Sequence, residues 1–359
     1  MTLVAVLGLD IGGANTKAAF VRTEAGFVKD IRTGSEYFPV WKDPDGLGTV
    51  LSKLADKVGG SATFDAVGVT MTAELSDAYQ TKREGVNHIL TQVARVFPEA
   101  AIYVLDVDGG LRSLAEARAE PLKVAAANWA ATGWLVSQLV KNCVVLDVGS
   151  TSTSIIPIVN GAVSAAGKTD LEKLINGELV YSGSLRTNVT AIVKTIPVKG
   201  DVSRVSSELF ATSGDVHLIL GNISSDDFTV ETADGKGKTR AAALARLARV
   251  VCADIEMLSE REIVQIARYV YERQIEQVAD GLRQVYERVK RNMKGEVAAV
   301  VTGLGKNFLA KKAAEKVGFT MMMDFDDLVP GNVAKVSTVV GVAFMLASKL
   351  EGRIVEWKR

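Results

Sequence analysis

The chain has 359 residues, 48% of them apolar, which is enough for two domains with sizeable cores. Its 42 basic and 42 acidic side chains cancel, so the protein lacks the positive charge that nucleic-acid binding usually needs. Two cysteines cannot form a disulfide framework, two histidines argue against a His-rich zinc site, and no apolar run would span a bilayer. We expect a cytoplasmic protein without a nucleic-acid or membrane partner, and leave open whether it is a homo-oligomer.

Apolar periodicity predicts the secondary structure of the first half of the chain. The order is strands first, then alternating helices and strands, which is typical of an α/β domain with a mostly buried sheet. Strands are expected at residues 4–10, 16–22, 27–32, 66–70 and 102–106, and helices at 47–58, 87–97 and 122–139.

The pattern restarts just after residue 141, which marks a second half. Asn160 and Gly161 predict a two-residue hairpin turn, and Ser259 with Glu262 predicts a helix capping box. Strands are expected at 144–147, 154–159, 162–165, 297–302 and 320–323, helices at 241–251, 259–290, 306–317 and 336–350, and a mixed polar stretch at 170–235.

One short pattern occurs twice. Residues 7–17 and 145–154 each consist of an apolar strand, an aspartate, a Gly-led polar turn and a second apolar run. Aligned on Asp10 and Asp147, they predict a duplicated phosphate-binding hairpin, because such turns can aim backbone N–H groups and hydroxyls at a phosphate. The alternative is two hairpin turns that merely look alike. The predicted phosphate-binding residues are Gly12, Gly13, Asn15, Thr16, Lys17, Gly149, Ser150, Thr151, Ser152 and Thr153.

The aspartate at each strand end also predicts a metal site. Asp10 and Asp147 would repel a bare phosphate, but each can hold Mg²⁺, which bridges to the phosphate. A third turn, with Gly303 and Gly305, ends a strand and opens a helix, so it is also a candidate for phosphate binding. A tight helix start explains that turn equally well. Residues 234–240 do not form a Walker A loop and indicate a solvated loop instead.

Charged residues after the strand at 66–70 are candidates for the chemistry. Glu74 and Asp77 precede Lys82 and Arg83, and a carboxylate pair beside a basic pair suits a base that works near an anionic leaving group. Ordinary charge balance at a solvated helix start is the alternative.

A second cluster is expected to bind substrate. Tyr181, Arg186 and Thr187 lie close together in the chain, and Arg186 could clamp a phosphate with two parallel hydrogen bonds. A surface arginine is the alternative for Arg186. The charges of the helix at 259–290 indicate a solvated face rather than a site.

These features resemble the actin, Hsp70 and sugar-kinase superfamily, and the finer pattern is similar to its hydantoinase/oxoprolinase branch. Within that branch the chain resembles the methanofuran-biosynthesis synthase family of methanogenic archaea and of bacteria with tetrahydromethanopterin-linked one-carbon transfer. The resemblance covers nearly the whole chain and rests on residues 10–17, 70–77, 81–85, 127–129, 147–153, 177–183, 185–187 and 213–217.

The resemblance implies a fold and a reaction. The reaction joins an aminomethylfuran-methyl diphosphate to gamma-glutamyltyramine, whose phenol oxygen displaces pyrophosphate and forms an aryl ether. Mg²⁺ is the expected cofactor, ATP is compatible with this interpretation but not required, and Glu74 is the candidate base. The fold is α/β, with two duplicated ribonuclease-H-like domains around a cleft: residues 1–140 with the helix 336–350, and residues 141–335 with a helical insertion at 240–294.

One residue departs from the branch, whose second hairpin usually carries an aspartate where this chain has Ser154. Either the protein has diverged toward another substrate, or it relies on Asp147 alone. Two other classes share the hairpins: an ATP-dependent kinase or amide-bond hydrolase, and a non-catalytic nucleotide-binding protein. The hydrolase form normally needs a longer chain or a partner subunit. The clusters around Glu74 and Arg186 argue against a pure nucleotide sensor.

Overall fold

A computed structural model describes residues 3–60, 62–292, 296–331 and 333–357 of the protein. It is an α/β fold whose two main sheets have mixed strand directions. The strands are β1 (Leu3–Ile11), β2 (Asn15–Glu24), β3 (Phe27–Tyr37), β4 (Ala66–Met71), β5 (Ala101–Leu105), β6 (Leu111–Ser113), β7 (Cys143–Val148), β8 (Thr153–Val159), β9 (Ala162–Val163), β10 (Leu179–Val180), β11 (Thr195–Val198), β12 (Asp201–Arg204), β13 (Ala298–Thr302) and β14 (Met322–Asp324). The helices are α1 (Leu47–Gly59), α2 (Lys82–Val96), α3 (Leu114–Ala119), α4 (Asn128–Ser137), α5 (Asp170–Ile175), α6 (Val189–Ile192), α7 (Ser213–Leu220), α8 (Arg240–Arg249), α9 (Glu260–Lys290), α10 (Lys311–Val317), α11 (Phe325–Leu328) and α12 (Ser337–Glu351).

The chain forms two compact units. Unit 1 consists of Met1–Lys141, Ile158–Glu172 and Phe325–Arg359, and unit 2 consists of Asn142–Pro157 and Lys173–Asp324. Unit 1 includes the stretch 158–172, which the sequence predicts to belong to the second domain. The units differ from the predicted domains at this stretch, and the predicted domain bounds stay a prediction. Residues 1, 2 and 294, which lie in the predicted first domain and at the predicted end of the helical insertion, fall outside the described residues.

The sheet of unit 1 has the strand order β3-β2-β1-β4-β5-β6. Strand β1 is antiparallel to β2 and parallel to β4, so the turn after β1 lies beside the carboxyl end of β4. Helix α12 packs on β1, β2 and β4. A Cβ on Gly8 would lie 2.7 Å from the carbonyl oxygen of Val339, so only glycine lets this helix approach the strand so closely.

The sheet of unit 2 has the order β10-β8-β7-β13-β14, and β9 pairs with the end of β8. Strand β7 is parallel to β13, as β1 is to β4. Strands β7, β8 and β13 therefore occupy the places that β1, β2 and β4 have in the first sheet. Asp10 and Asp147 stand near the ends of equivalent strands, so the fold confirms the duplication that their sequence pattern predicts.

Several local predictions are confirmed. Helices α1 and α9 agree with the predicted ranges to within two residues, and Ser259 and Glu262 form the reciprocal capping box. Asn160 and Gly161 have positive φ angles of 53° and 79°, as a tight hairpin turn between β8 and β9 requires.

Other predictions are wrong in part. The helix predicted at 122–139 starts only at residue 128, because a 3-10 turn at Pro121–Lys123 and the left-handed Ala126 (φ 52°) precede it. The helix predicted at 306–317 begins as a π-helical turn, Lys306–Ala310. The stretch 170–235 contains elements too short for a readable period, from α5 to α7 and from β10 to β12.

Among the described helices, none is both long and apolar enough to cross a membrane.

Candidate functional site

The first hairpin joins β1 to β2 through a tight turn. The N–H of Gly12 donates to the carbonyl of Asn15 at 3.1 Å, and a Cβ on Gly12 would lie 2.7 Å from that oxygen. The carbonyls of Gly13 and Ala14 accept hydrogen bonds of 3.0 Å from the segment 38–40. Within the described part of the chain, the N–H groups of Gly13 and Ala14 have no partner. The turn therefore has two backbone donors available for an anion.

Asp10 lies beside this turn, on the face of the sheet that α12 covers. Lys17 faces it across the β1–β2 ladder, and Thr70 is its neighbour on β4, so the three side chains share that face. Asp10 is 8% exposed, and Thr70 Oγ is buried with no hydrogen-bond partner among the residues that the structure describes. The Lys17 ammonium donates to the carbonyl of Lys335 at 3.0 Å, which holds it at the base of α12.

Glu74 is a buried acid of unit 1 whose pKa is strongly shifted. It follows β4 by three residues, and the N–H of Thr72 between them donates to the Ile11 carbonyl at 2.9 Å. The side chain is 1% exposed, and among the described residues neither carboxylate oxygen has a partner with good hydrogen-bond geometry, although the backbone of Glu74 and of Ala126 lies close enough to lower its pKa slightly. Burial raises the pKa of Glu74 from 4.5 to about 7; the ammonium of Lys82, 3.9 Å away, opposes that rise, and the charge of Asp170 adds to it.

The structure brings together only part of the predicted charged cluster. Lys82 binds Asp170 at 2.6 Å and also faces Glu74, so these three residues form one group. Arg83 is an exposed side chain in the first turn of α2, and Asp77 is an exposed side chain in the loop before that helix. Asp170 is not predicted from the sequence, because its contact with Lys82 joins residues 88 positions apart and leaves no local signal.

The second hairpin, between β7 and β8, repeats the first turn. The N–H of Gly149 donates to the Ser152 carbonyl at 2.9 Å. Its carbonyls are bound by the loop 182–187, since Ser184 donates to Gly149 and Leu185 to Ser150, both at 2.9 Å. The N–H groups of residues 150–152 have no partner in the described part of the chain. This turn also has backbone donors available for an anion.

The loop 182–187 lies directly on the second turn because Gly183 has no side chain. A Cβ on Gly183 would lie 2.5 Å from the carbonyl carbon of Thr151 and 2.6 Å from the nitrogen of Ser152. Arg186 donates to the hydroxyl of Thr151 at 3.4 Å and is half-buried. Tyr181, 58% exposed, precedes the loop.

The turn after β13 packs against the same hairpin. Gly303 has a φ of 87°, and a Cβ there would lie 2.7 Å from the carboxylate of Asp147. The N–H of Gly305 donates to the Val148 carbonyl at 3.0 Å. The predicted glycines and Asp147 therefore do come together in unit 2. Ser154, which replaces the expected aspartate, lies on β8 opposite Leu179.

Three predicted ligand hydroxyls are directed into the protein instead. Thr16 and Thr153 are fully buried, and the Thr153 hydroxyl donates to the carbonyl of Ser182 at 2.8 Å. The Thr187 hydroxyl accepts from the N–H of Gly183 at 2.9 Å. These contacts place the three hydroxyls inside the hairpins and the loop, and their role as ligands stays a prediction. Threonines in strands commonly fill such a place, which sequence alone does not distinguish from a ligand.

The residues present fit only one mode of Mg²⁺ binding, in which the protein supplies few of the ligands. The described residues contain no group of three or more acidic, histidine or cysteine side chains that could cage a metal. Mg²⁺ usually keeps several waters and binds one or two carboxylates together with substrate phosphates. A single aspartate beside a turn with available N–H groups, Asp10 in unit 1 or Asp147 in unit 2, suits that mode of binding.

Comparison with known proteins gives the chain its family. The family model described as Hydantoinase/oxoprolinase matches residues 65–343. A (4-{4-[2-(gamma-L-glutamylamino)ethyl]phenoxymethyl}furan-2-yl)methanamine synthase of Methanocaldococcus jannaschii is 39% identical over 307 residues, which is 85% of this chain and 88% of that protein. A protein of the same name from Methanococcus vannielii is 40% identical over 175 residues, 49% of this chain and 76% of its own.

A solved structure agrees with the fold. Nucleotide-free acetone carboxylase superimposes with a TM-score of 0.63 at 12% identity, covering 96% of this chain and 70% of the carboxylase chain. At that identity the likeness concerns the fold alone. On the family model and the sequence identity, the chain belongs to the hydantoinase/oxoprolinase family, together with the two archaeal synthases.

Proposed function

We propose that this protein is a synthase of methanofuran biosynthesis. It would join an aminomethylfuran-methyl diphosphate to gamma-glutamyltyramine. The 39% identity over 85% of the chain to a furan-methanamine synthase supports this assignment. The product in that relative's name contains a phenoxymethyl ether, and displacement of a diphosphate by a phenol oxygen is a direct way to form one.

The observation that carries the proposal is the environment of Glu74. The phenol oxygen attacks the methylene carbon, the bond from that carbon to the diphosphate oxygen breaks, and the phenol proton has to leave. A phenol has an unperturbed pKa of about 10, so a base near pH 7 assists. Burial raises the pKa of Glu74 to about 7, which gives a carboxylate suited to accepting that proton.

Lys82 has a second role in this proposal. Its side chain is 26% exposed, whereas Glu74 is buried, so the phenol would approach the cluster from the side of Lys82. The ammonium would stabilise the negative charge that develops on the phenol oxygen. Asp170 holds the ammonium in place through the 2.6 Å contact.

Each of the two hairpin turns is a candidate site for the diphosphate group of the substrate. The N–H groups of Gly13 and Ala14 in unit 1, and of residues 150–152 in unit 2, are available as donors to phosphate oxygens. When bound at Asp10 or Asp147, Mg²⁺ would supply positive charge for the leaving pyrophosphate. No step of this reaction consumes ATP.

The test is a reaction without nucleotide. Purified protein is mixed with Mg²⁺, the furan diphosphate and gamma-glutamyltyramine, and both pyrophosphate and the mass of the coupled product are followed. We expect one pyrophosphate for each ether formed. If no coupled product forms, but ADP appears when ATP and candidate acceptors are added, the proposal is wrong and the ATP-dependent alternative replaces it.

A further inference from the structure

A chain of buried hydrogen bonds in unit 2 ends at the loop on the second hairpin. It starts at His217 on α7 and passes through Gln274 on α9, and both side chains are fully buried. The Nε2–H of His217 donates to Gln274 Oε1 at 3.0 Å. The amide nitrogen of Gln274 then donates to the carbonyl of Gly183 at 2.8 Å and to the hydroxyl of Ser182 at 3.1 Å.

The acceptor at Gly183 fixes which atoms donate and which accept along this series of hydrogen bonds. Gln274 has to turn its nitrogen toward the Gly183 carbonyl, so its oxygen faces His217 and accepts from Nε2. The other ring nitrogen, Nδ1, then accepts from the amide of Asn222 at 3.1 Å. Complete burial lowers the pKa of His217 to about 3, so the ring stays neutral and keeps this one tautomer.

The ring of His217 is also held by packing. It lies edge-to-face against Tyr271, with ring centroids 5.6 Å apart, and next to Phe308 at 4.5 Å. The Tyr271 hydroxyl donates to the backbone carbonyl of Phe308 at 2.6 Å, which links the ring of Tyr271 to the backbone that carries Phe308. The donor to Gln274 therefore starts from a rigid place in the unit.

Gly183 connects this hydrogen-bond chain to the turn of residues 150–152. Its carbonyl accepts from Gln274 and, at 2.8 Å, from the hydroxyl of Ser213. Its Cα lies against the backbone of Thr151 and Ser152 too closely for any side chain. The following residues of the loop bind the turn carbonyls, so a shift of Gly183 would shift the turn and the direction of its N–H groups.

We infer that His217 and Gln274 are positioning residues for a diphosphate site at the turn of residues 150–152. They do not contact the ligand; they keep the loop 182–187 seated on the turn, so that the turn N–H groups converge on the phosphate oxygens before it binds. The inference rests on the proposed function for the nature of the ligand. It assigns a role to two buried polar residues that the proposed reaction does not otherwise use.

The test is the substitution Gln274→Glu. A glutamate still accepts from His217, but it places an oxygen where the amide nitrogen donated to Gly183. The Gly183 carbonyl then keeps only its hydroxyl donors and faces a repelling oxygen, while the shape of the side chain at position 274 is kept. The matched control is Gln277→Glu on the same helix. The Gln277 amide donates to the carbonyl of Ala191 at 3.0 Å, away from the hairpin.

The readouts are binding of pyrophosphate with Mg²⁺ by calorimetry and steady-state kinetics of the folded variants. For Gln274→Glu we expect the dissociation constant of pyrophosphate and the KM for the furan diphosphate to rise about tenfold or more. The KM for gamma-glutamyltyramine should stay unchanged, since a general loss of structure would alter both substrates. Gln277→Glu should behave as the wild type does.

A second variant covers the case in which Gln274→Glu does not fold. His217→Phe keeps the aromatic packing against Tyr271 and Phe308 but removes the donor to Gln274, and we expect a rise of a few fold in the same dissociation constant. Wild-type pyrophosphate affinity in a folded variant of either residue would overturn the inference while leaving the synthase intact. If the wild type itself neither binds pyrophosphate nor forms product, the proposed function fails, and the inference fails with it.

Discussion

The two hairpins have the same turn, and each is held in the same way. The N–H of Gly12 reaches the carbonyl three residues on at 3.1 Å, and that of Gly149 does so at 2.9 Å. In both units a later segment binds the turn carbonyls: residues 38–40 in unit 1 and residues 184–186 in unit 2. With the carbonyls engaged, the remaining N–H groups of each turn are available to an anion, so the two copies share the same backbone arrangement.

The two copies differ in the segment after the neighbouring strand. Thr70 pairs with Asp10 in unit 1, and Thr302 pairs with Asp147 in unit 2. The residue four positions after this threonine is Glu74 in unit 1 and Lys306 in unit 2. Glu74 is buried, with a raised pKa, whereas Lys306 forms an ion pair of 2.6 Å with Asp324 and follows a glycine turn. The same hairpin turn therefore occurs twice, whereas a candidate proton acceptor is found at this position in one copy only.

The largest effect is expected from Glu74→Gln, which removes the candidate proton acceptor that only unit 1 has at this position. If Glu74 is the base, kcat should fall by about 10²–10⁴-fold. In the wild type, kcat/KM should rise with pH up to about 7 and then level off, because only the ionised carboxylate accepts a proton. The variant should lack this dependence. Glu99→Gln, at an exposed position of the same unit, is the control; wild-type turnover in Glu74→Gln would remove the base from this place.

Substituting the shared aspartates tests whether the two hairpins contribute equally. We expect Asp10→Asn and Asp147→Asn each to lower turnover by about 10²–10³-fold, because each removes negative charge that would hold Mg²⁺ in the proposed site. The exposed residues Asp56 and Asp280 provide matched Asp→Asn controls in the two units. Mg²⁺ titrations of initial rates measure the effect. Loss of turnover in only one of the two variants would show that the copies have different roles.

Glu74→Gln should also change how stability depends on pH. The carboxyl titrates near 4.5 in the unfolded chain and at about 7 in the folded one, so the folded protein binds this proton more tightly between those values. Stability from this group is complete below pH 4.5 and is lost as pH rises through 7, by at most about 3 kcal/mol. Urea unfolding at about pH 5 and pH 8 should show a smaller loss for the variant. An equal loss in both proteins would mean that Glu74 is not buried.

The smallest effect is expected from substituting two glycines of the hairpin regions, and it concerns the free energy of unfolding. Gly183→Ala places a Cβ 2.5 Å from the backbone of Thr151, and we expect it to lower the free energy of unfolding by about 1–3 kcal/mol. Gly13→Ala meets nothing within 4 Å and should change it by less than about 0.5 kcal/mol. Denaturant midpoints of both variants measure the difference. Equal midpoints would mean that the loop does not rest on the turn.

Local sequence determined the parts of this protein that depend on neighbours along the chain. The strand, aspartate and Gly-led turn were readable twice, because alternation and turn chemistry act over a few residues. The capping box of α9 and the Asn160-Gly161 turn were readable for the same reason. The irregular start of α4 was not, since nothing in the residues near Ala126 announces its left-handed backbone.

Only the tertiary structure decided which polar residues belong to the sites. Lys82 meets Asp170 across 88 positions, and Gln274 meets Gly183 across 91, so packing and not periodicity brings them together. Glu74 could be named from its place after a strand, but its pKa of about 7 comes from burial, which depends on everything folded around it. The sequence by itself therefore determined the duplicated hairpins and their aspartates, and the fold decided which side chains support them.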